Sequence, residues 1–270
     1  MCIAAVAWNP DGETPLLIAA NRDEFFARPT EPMHWWPNSS VLAGRDLKAN
    51  GAWLGITRQG RFALLTNIRN PALRREGAPS RGDIVKNFLE SSVATSTFVA
   101  ALASIASRYE GFNFLCGQVN RGSDELWFLN SAERVAKRSN SGHYALSNAS
   151  LDTDWPKLTR VKQGLRHALA ERDFAAQDAR LARLLRNTTP TAERHLPNTG
   201  VPLEWERALG SIFINRDDYG TRASTVLRVS SGNANVSEIN YAPDASISQR
   251  NDFSFEISPI SLYKNGSAFS

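Results

Sequence analysis

Apolar residues along this chain fall in short runs, and the spacing inside each run predicts its element. Residues 2–8 are continuously apolar, as in a strand covered on both faces, and residues 16–20 repeat the pattern. Asn9-Pro10-Asp11-Gly12 between them is a turn signal, so a first hairpin is expected. Residues 53–57 and 62–67 flank Arg58-Gln59-Gly60-Arg61 and predict a second hairpin. Helical spacing follows twice: Ile84, Val85, Phe88 and Leu89 after Asp83, then Phe98, Val99, Leu102 and Ile105, with Gly111 as the expected stop. Strands are expected again at 112–118, 126–130, 134–138 and 143–147. Leu158, Val161, Leu165 and Leu169 have helical spacing, as do Leu181, Leu184 and Leu185. A Pro- and Thr-containing loop at 188–202 leads to a short helical piece at 203–209, and strands close the chain at 211–215, 221–229, 236–241 and 253–257.

Strands and helices therefore come in blocks, which suggests packed antiparallel sheets with helices outside rather than βαβ units. The loop at 188–202 is the best boundary, yet the strands after it are expected to complete a sheet, so residues 1–270 are read as one domain. The chain has 270 residues with 42% hydrophobic and 21% charged, an ordinary globular composition. Its formal charge of +4 is scattered, and the densest basic stretch, between Arg69 and Arg81, lacks the interleaved aromatics of a nucleic-acid surface. A small-molecule ligand or substrate is the expected partner, with no nucleic acid. No apolar run approaches the length of a membrane span and no leader pattern opens the chain, so a cytoplasmic location is expected.

Two cysteines make no disulfide framework. Cys116 alternates with Phe112 and Phe114 and reads as a buried hydrophobe. Cys2 is different. Met1 precedes a small residue, and its removal would leave Cys2 with an α-amine beside its thiol, a base and a nucleophile in one residue. The other reading of Cys2 is a small apolar residue opening a buried strand. Asn21-Arg22-Asp23-Glu24 follows an apolar strand and reads either as a solvated turn or as part of a site, because the hairpin returns it to the Cys2 end. A carboxylate there could hold an ammonium, and a guanidinium could hold a thiolate or carboxylate. Asn67, Asn148 and Arg222 each sit at the end of an apolar strand, a rigid mount for an oxyanion donor. His34, His143, His167 and His195 have no metal-ligand spacing, so no metal is expected.

The segments Met1-Cys2-Ile3, Ala19-Ala20-Asn21-Arg22-Asp23-Glu24-Phe25, Gly51-Ala52-Trp53-Leu54-Gly55-Ile56, Leu65-Thr66-Asn67, Arg81-Gly82, Gly111-Phe112-Asn113, Leu146-Ser147-Asn148, Trp155-x-Lys157-Leu158 and Tyr219-Gly220-Thr221-Arg222 together resemble the NRDE (transport and Golgi organisation) family. The resemblance implies an α+β, four-layer αββα sandwich of the N-terminal-nucleophile hydrolase type. A more distant resemblance links the chain to choloylglycine hydrolases and penicillin acylases, which implies catalytic roles for Cys2, Asp23, Asn67, Asn148 and Arg222. The arginine of that group falls on Ala20 here, and Arg22 is its substitute on the same strand face. Asn21, Glu24 and Trp53 are the expected substrate contacts. The expected activity is cleavage of an amide C–N bond in a small amphipathic substrate, with no cofactor. The alternative is a carrier for haem, acyl-CoA or lipid on the same fold, with Cys2 as a haem ligand.

Overall fold

In the computed structural model, which describes residues 2–9, 11–120 and 124–258, the opening hairpin is made by β1 (Cys2–Trp8) and β2 (Leu16–Phe25). Met1 and Pro10 lie outside the described residues. The turn closes with the Gly12 amide donating to the Asn9 carbonyl at 2.9 Å. The chain continues through β3 (Thr30–Trp35), β4 (Val41–Asp46), β5 (Leu54–Thr57) and β6 (Arg61–Asn67), then α1 (Gly82–Glu90) and α2 (Thr95–Ile105). Next come β7 (Phe112–Gln118), β8 (Glu125–Asn130), β9 (Val135–Arg138), β10 (Gly142–Leu146), α3 (Pro156–Leu169) and α4 (Phe174–Leu185). A short α5 (Leu203–Ala208) precedes β11 (Tyr219–Ser230), β12 (Asn233–Tyr241) and β13 (Ile247–Glu256).

The strands form two sheets, ordered β10-β1-β2-β11-β12-β13 and β3-β4-β5-β6-β7-β8-β9, with every neighbouring pair antiparallel. Side-chain alternation splits each central strand between two cores. From β1, Ala4, Val6 and Trp8 point inward with Ile18 of β2 to meet Leu54, Phe62 and Leu115 of the other sheet. Ile3, Ala5 and Ala7 point outward onto Leu158, Val161 and Leu165 of α3 and Leu181 of α4. On the far side Ile84, Val85 and Phe88 of α1 and Val99 of α2 cover Ala63, Phe114 and Cys116. The result is an α+β, four-layer αββα sandwich, two antiparallel sheets between helical layers. Full burial on both faces explains why β1 is apolar throughout. Each buried Leu or Ile side chain in such a core is worth about 1.5–3 kcal/mol.

The sequence reading and the structure part at four places. The hairpin β3–β4 was not predicted: Pro32 and a bulge between Glu31 and His34 break its alternation, as an edge strand tolerates. Residues 211–215 are not a strand but make one bridge, Asn215 to Gly220, and their apolar side chains pack beneath the helices. The second helix stops at Ile105, capped by the Ala106 amide on the Ala103 carbonyl, well before Gly111. Finally, β2 does not end in a solvated turn at Asn21: it runs on to Phe25 because β11 pairs with it as far as Tyr219.

Candidate active site

The extension of β2 carries Asn21-Arg22-Asp23-Glu24 along the opening of β1. Cys2 pairs directly with Arg22, and alternation turns both toward the seven-stranded sheet. They reach a cavity of about 710 Å³ between the sheets, lined also by Asp23, Glu24, Trp53, Asn67 and Arg222. Cys2 is 8% exposed. Burial pushes its thiol above the ordinary range, the amino-terminal charge pulls it back, the Asp23 carboxylate adds to the rise, and Arg22 opposes it. A thiol so placed needs a base to become a nucleophile at neutral pH.

Arg22 is held from the opposite sheet, its Nη2 donating to Asp46 Oδ2 at 3.2 Å, and its buried Nη1 has no hydrogen-bond partner among the described residues. Asp46 also takes Arg28. Arg81 is paired with Glu110 at 3.2 Å, whereas Arg45, Lys48 and Arg75 line the cavity with no ion pair among the described residues. Trp53 and Leu65 supply apolar wall. Gly51 closes the rim: a Cβ there would stand 2.4 Å from the Gly82 carbonyl carbon, so only glycine lets this loop touch the start of α1.

Arg222 is the extra residue of a bulge, because Thr221 pairs with Asp23 and Ala223 with Arg22. The bulge re-aims it, and its Nη1 donates to the carbonyls of Phe25, Phe26 and Arg28 at 3.0, 3.2 and 3.1 Å. It therefore fastens the β2–β3 turn as well as lining the cavity. Asn67, at the end of β6, lines the cavity, and its side-chain amide makes no hydrogen bond among the described residues. Two expected contacts are corrected. Asn148 does not line the cavity: it is 1% exposed, and its Nδ2 donates to the Asn67 carbonyl at 3.0 Å while Oδ1 accepts from Ser147. It braces Asn67 from behind. Asn21 is not a substrate contact. It lies one residue out of phase with Arg22, so its Nδ2 donates to the Leu185 and Ile212 carbonyls on the helical side and its Oδ1 accepts from Ser224.

Asp23 also faces the helical side. Its Oδ1 accepts from Thr221 Oγ1 at 2.8 Å. Burial raises its carboxyl to about 6, against the pull of the amino terminus, Thr221, Lys157 and Arg22. Behind it lies a buried ionic group that the sequence reading did not assign. Arg69 Nη2 meets Glu206 Oε2 at 3.0 Å with both side chains 4% exposed, and Lys157, 3% exposed, shares the Trp155 ring with Arg69. Glu206 Oε1 accepts from the Thr199 amide and hydroxyl. The signal available was Lys157 itself, a charge directly before the core residue Leu158, and Glu206 two residues from an acidic neighbour gave none. Glu206→Gln is expected to destabilise the fold by about 3 kcal/mol, because it leaves Arg69 buried without a counter-charge. Urea denaturation with an unchanged slope would check it. Among the described residues no cluster of His, Cys, Asp or Glu could hold a metal ion, and no helix is long and apolar enough to cross a membrane.

The model of the Transport and Golgi organisation 2 family matches residues 1–243. A Bos taurus homologue of Transport and Golgi organization protein 2 is 33% identical over 246 residues, covering 85% of this chain and 88% of that protein. The Homo sapiens homologue is 29% identical over the same shares, and the Drosophila melanogaster protein is 28% identical over 83% of this chain and 86% of its own length. Among solved structures, a Caenorhabditis elegans N-acylethanolamine-hydrolyzing acid amidase ortholog gives a TM-score of 0.47 at 12% identity, covering 84% of this chain and 92% of that one. A conjugated bile acid hydrolase from Clostridium perfringens gives 0.42 at 10%, covering 98% and 100%. With the family model spanning nearly all of the described residues and a relative at this identity along most of both chains, the protein belongs to the Transport and Golgi organisation 2 family.

Proposed function

We propose that the protein is a cysteine hydrolase of the N-terminal-nucleophile kind, cleaving an amide C–N bond in a small amphipathic substrate after Met1 is removed. The observation that carries this reading is the placement of Cys2 at the floor of the cavity, paired with Arg22 and beside Asp23. The α-amine takes the thiol proton as the sulfur attacks the carbonyl carbon. Asn67 donates its side-chain amide to the oxyanion, with Asn148 holding it in place and the unpaired Arg22 Nη1 adding positive charge. Collapse of the tetrahedral intermediate breaks the C–N bond, and the α-ammonium returns its proton to the departing amine. Water then hydrolyses the thioester, losing a proton to the α-amine and regenerating the thiol. Asp23 orients the amine. The mixture of Trp53 and Leu65 with the cationic wall of Arg45, Lys48 and Arg75 suits a substrate with an apolar body and a polar or anionic end.

A haem carrier has less support. The cavity wall carries many charged side chains of both signs and few large apolar ones, and a thiol held protonated by burial is a poor axial ligand. The reading is tested by incubating the native protein with a panel of N-acyl amides that differ in head-group charge and following amine release. Asn67→Ala is expected to lower kcat about 10²- to 10³-fold with KM little changed, since an oxyanion donor acts only as charge develops. A rise in KM alone would assign Asn67 to substrate binding instead.

A further inference from the structure

The end of β10 is where the two sheets are tied together beside the nucleophile. The antiparallel register of β1 and β10 runs from Trp8 opposite Gly142 to Ala4 opposite Leu146 and stops there, short of Cys2. The chain then leaves the six-stranded sheet. The Asn148 carbonyl accepts from the Arg69 amide at 2.7 Å, and the Ser147 carbonyl accepts from the side chains of Thr66 on β6 and Asn113 on β7, both in the other sheet. Cys2 thus keeps β2 on one side and has no strand paired to it on the other. A buried backbone carbonyl left without a donor is costly. Here the donor is a side chain: Ser147 Oγ stands 2.8 Å from the Cys2 carbonyl oxygen, and Ser147 is fully buried.

Ser147 Oγ also lies 3.0 Å from Asn148 Oδ1, so its one proton is shared between two acceptors. Asn148 Nδ2 in turn donates to the Asn67 carbonyl at 3.0 Å. An unbroken path of polar contacts therefore runs from the backbone of Cys2 through Ser147 and Asn148 to Asn67, which shares the cavity with Cys2. Thr66, directly before Asn67, grips the same serine by its carbonyl. A residue needed only to fill this space could be alanine. The hydroxyl is what reaches both acceptors, and a reacting group about 1 Å out of place can cost about 10²-fold in rate.

We propose that Ser147 is a positioning residue: it fixes the backbone of Cys2 against the strand end that carries Asn67, and so sets the distance between the nucleophile and its oxyanion donor. The catalytic consequence rests on the hydrolase reading above, whereas the anchoring of Cys2 stands without it. Ser147 does not line the cavity, so it acts through Cys2 and Asn148 rather than on the substrate.

The test has one arm without substrate and one with it, on the wild type, Ser147→Ala, Ser147→Thr and Val99→Ala, the last a core truncation under α2 that controls for lost stability. In the first arm, alkylation of Cys2 by iodoacetamide is followed by peptide mass, which counts Cys116 separately. Ser147→Ala is expected to alkylate about 5-fold faster than wild type, the effect of one lost hydrogen bond on a local opening equilibrium. Ser147→Thr, which keeps the hydroxyl, and Val99→Ala are expected to stay within about 2-fold of wild type on the same scale. In the second arm, Ser147→Ala is expected to lower kcat about 10- to 10²-fold with KM little changed, and Ser147→Thr to recover most of that loss. In an Asn67→Ala background the same change is expected to cost less than about 3-fold, because the donor it positions is gone. An unchanged alkylation rate in Ser147→Ala, or an equal rise in Val99→Ala, overturns the inference. A turnover loss that is the same in both backgrounds, or confined to KM, also overturns it. If Ser147→Ala does not fold, Ser147→Gly removes the same hydroxyl and is read the same way. Faster alkylation in a protein that hydrolyses no amide keeps Ser147 as the anchor of Cys2 and rejects the hydrolase, whereas an unchanged rate in an active enzyme rejects the inference alone.

Discussion

Cys2→Ala is expected to remove amide hydrolysis, by about 10³-fold or more, and to leave the fold intact. The loss follows because Cys2 is the one cysteine among the described residues that lines the cavity. Cys116 is buried between the seven-stranded sheet and its helices, and burial raises its thiol well above the ordinary range. The fold survives because β1 is already rich in alanine, with Ala4, Ala5 and Ala7 packed on both faces. Circular dichroism and a melting midpoint within a few degrees of wild type would confirm that the comparison is between folded proteins. Cys2→Ser should keep at most a trace of turnover, since a hydroxyl is a far weaker nucleophile near neutral pH than a partly ionised thiol.

An amino-terminal extension that is not removed is expected to have an equal effect without touching any side chain. It turns the α-amine of Cys2 into an amide nitrogen, which has no proton affinity at neutral pH, and the thiol loses its base. The protein should remain folded, and Cys2 should still react slowly with iodoacetamide at high pH, because the thiol itself is unaltered. A carrier would behave differently: ligand binding would persist in the extended chain. Turnover measured on chains of verified mass, with and without the extension, separates the two. Hydrolysis undiminished by the extension would remove the α-amine from the mechanism.

Much of the architecture was legible because burial on two faces leaves a strong mark. The continuous apolar run of β1, the alternation of Phe112, Phe114 and Cys116 in β7 and the helical spacing of Leu158, Val161 and Leu165 belong to elements covered by packing, and the strand boundaries agree closely with the pattern. The hairpin β3–β4 was not legible, since an edge strand carrying Pro32 and a bulge shows no regular period. The site divides in the same way. Cys2, Arg22 and Asn67 sit at strand positions whose direction the hairpins fix, and they reach one cavity. Asn21 misled because polarity at a strand end suggested exposure. Its amide is instead consumed by the carbonyls of Leu185 and Ile212, which come from segments more than 160 positions away in sequence. No local signal encodes such a partner. Asp46, Arg69 and Glu206 escaped for the same reason: each is an ordinary surface residue until the chain brings its counter-charge to it.

The boundary between Arg22 and Asp23 illustrates how one register organises the chemistry. Adjacent residues on β2 point to opposite faces, so the guanidinium shares the cavity face with the thiol while the carboxylate accepts from Thr221 on the helical side. Shifting β2 by one residue would exchange them. The ten residue pairs between β2 and β11 hold that register, and the bulge at Arg222 lies where the two faces of the site meet.

The central claim is that Cys2 is a processed, amino-terminal nucleophile. The most direct test is the intact mass of the native protein before and after turnover of an N-acyl amide stopped by acid, with Cys2→Ala in parallel. The account predicts a wild-type mass lacking Met1, a transient adduct equal to the acyl group on Cys2, and neither adduct nor released amine from the alanine variant. A native chain that keeps Met1 and nevertheless turns the amide over, or a Cys2→Ala variant that releases amine at the wild-type rate, would contradict it.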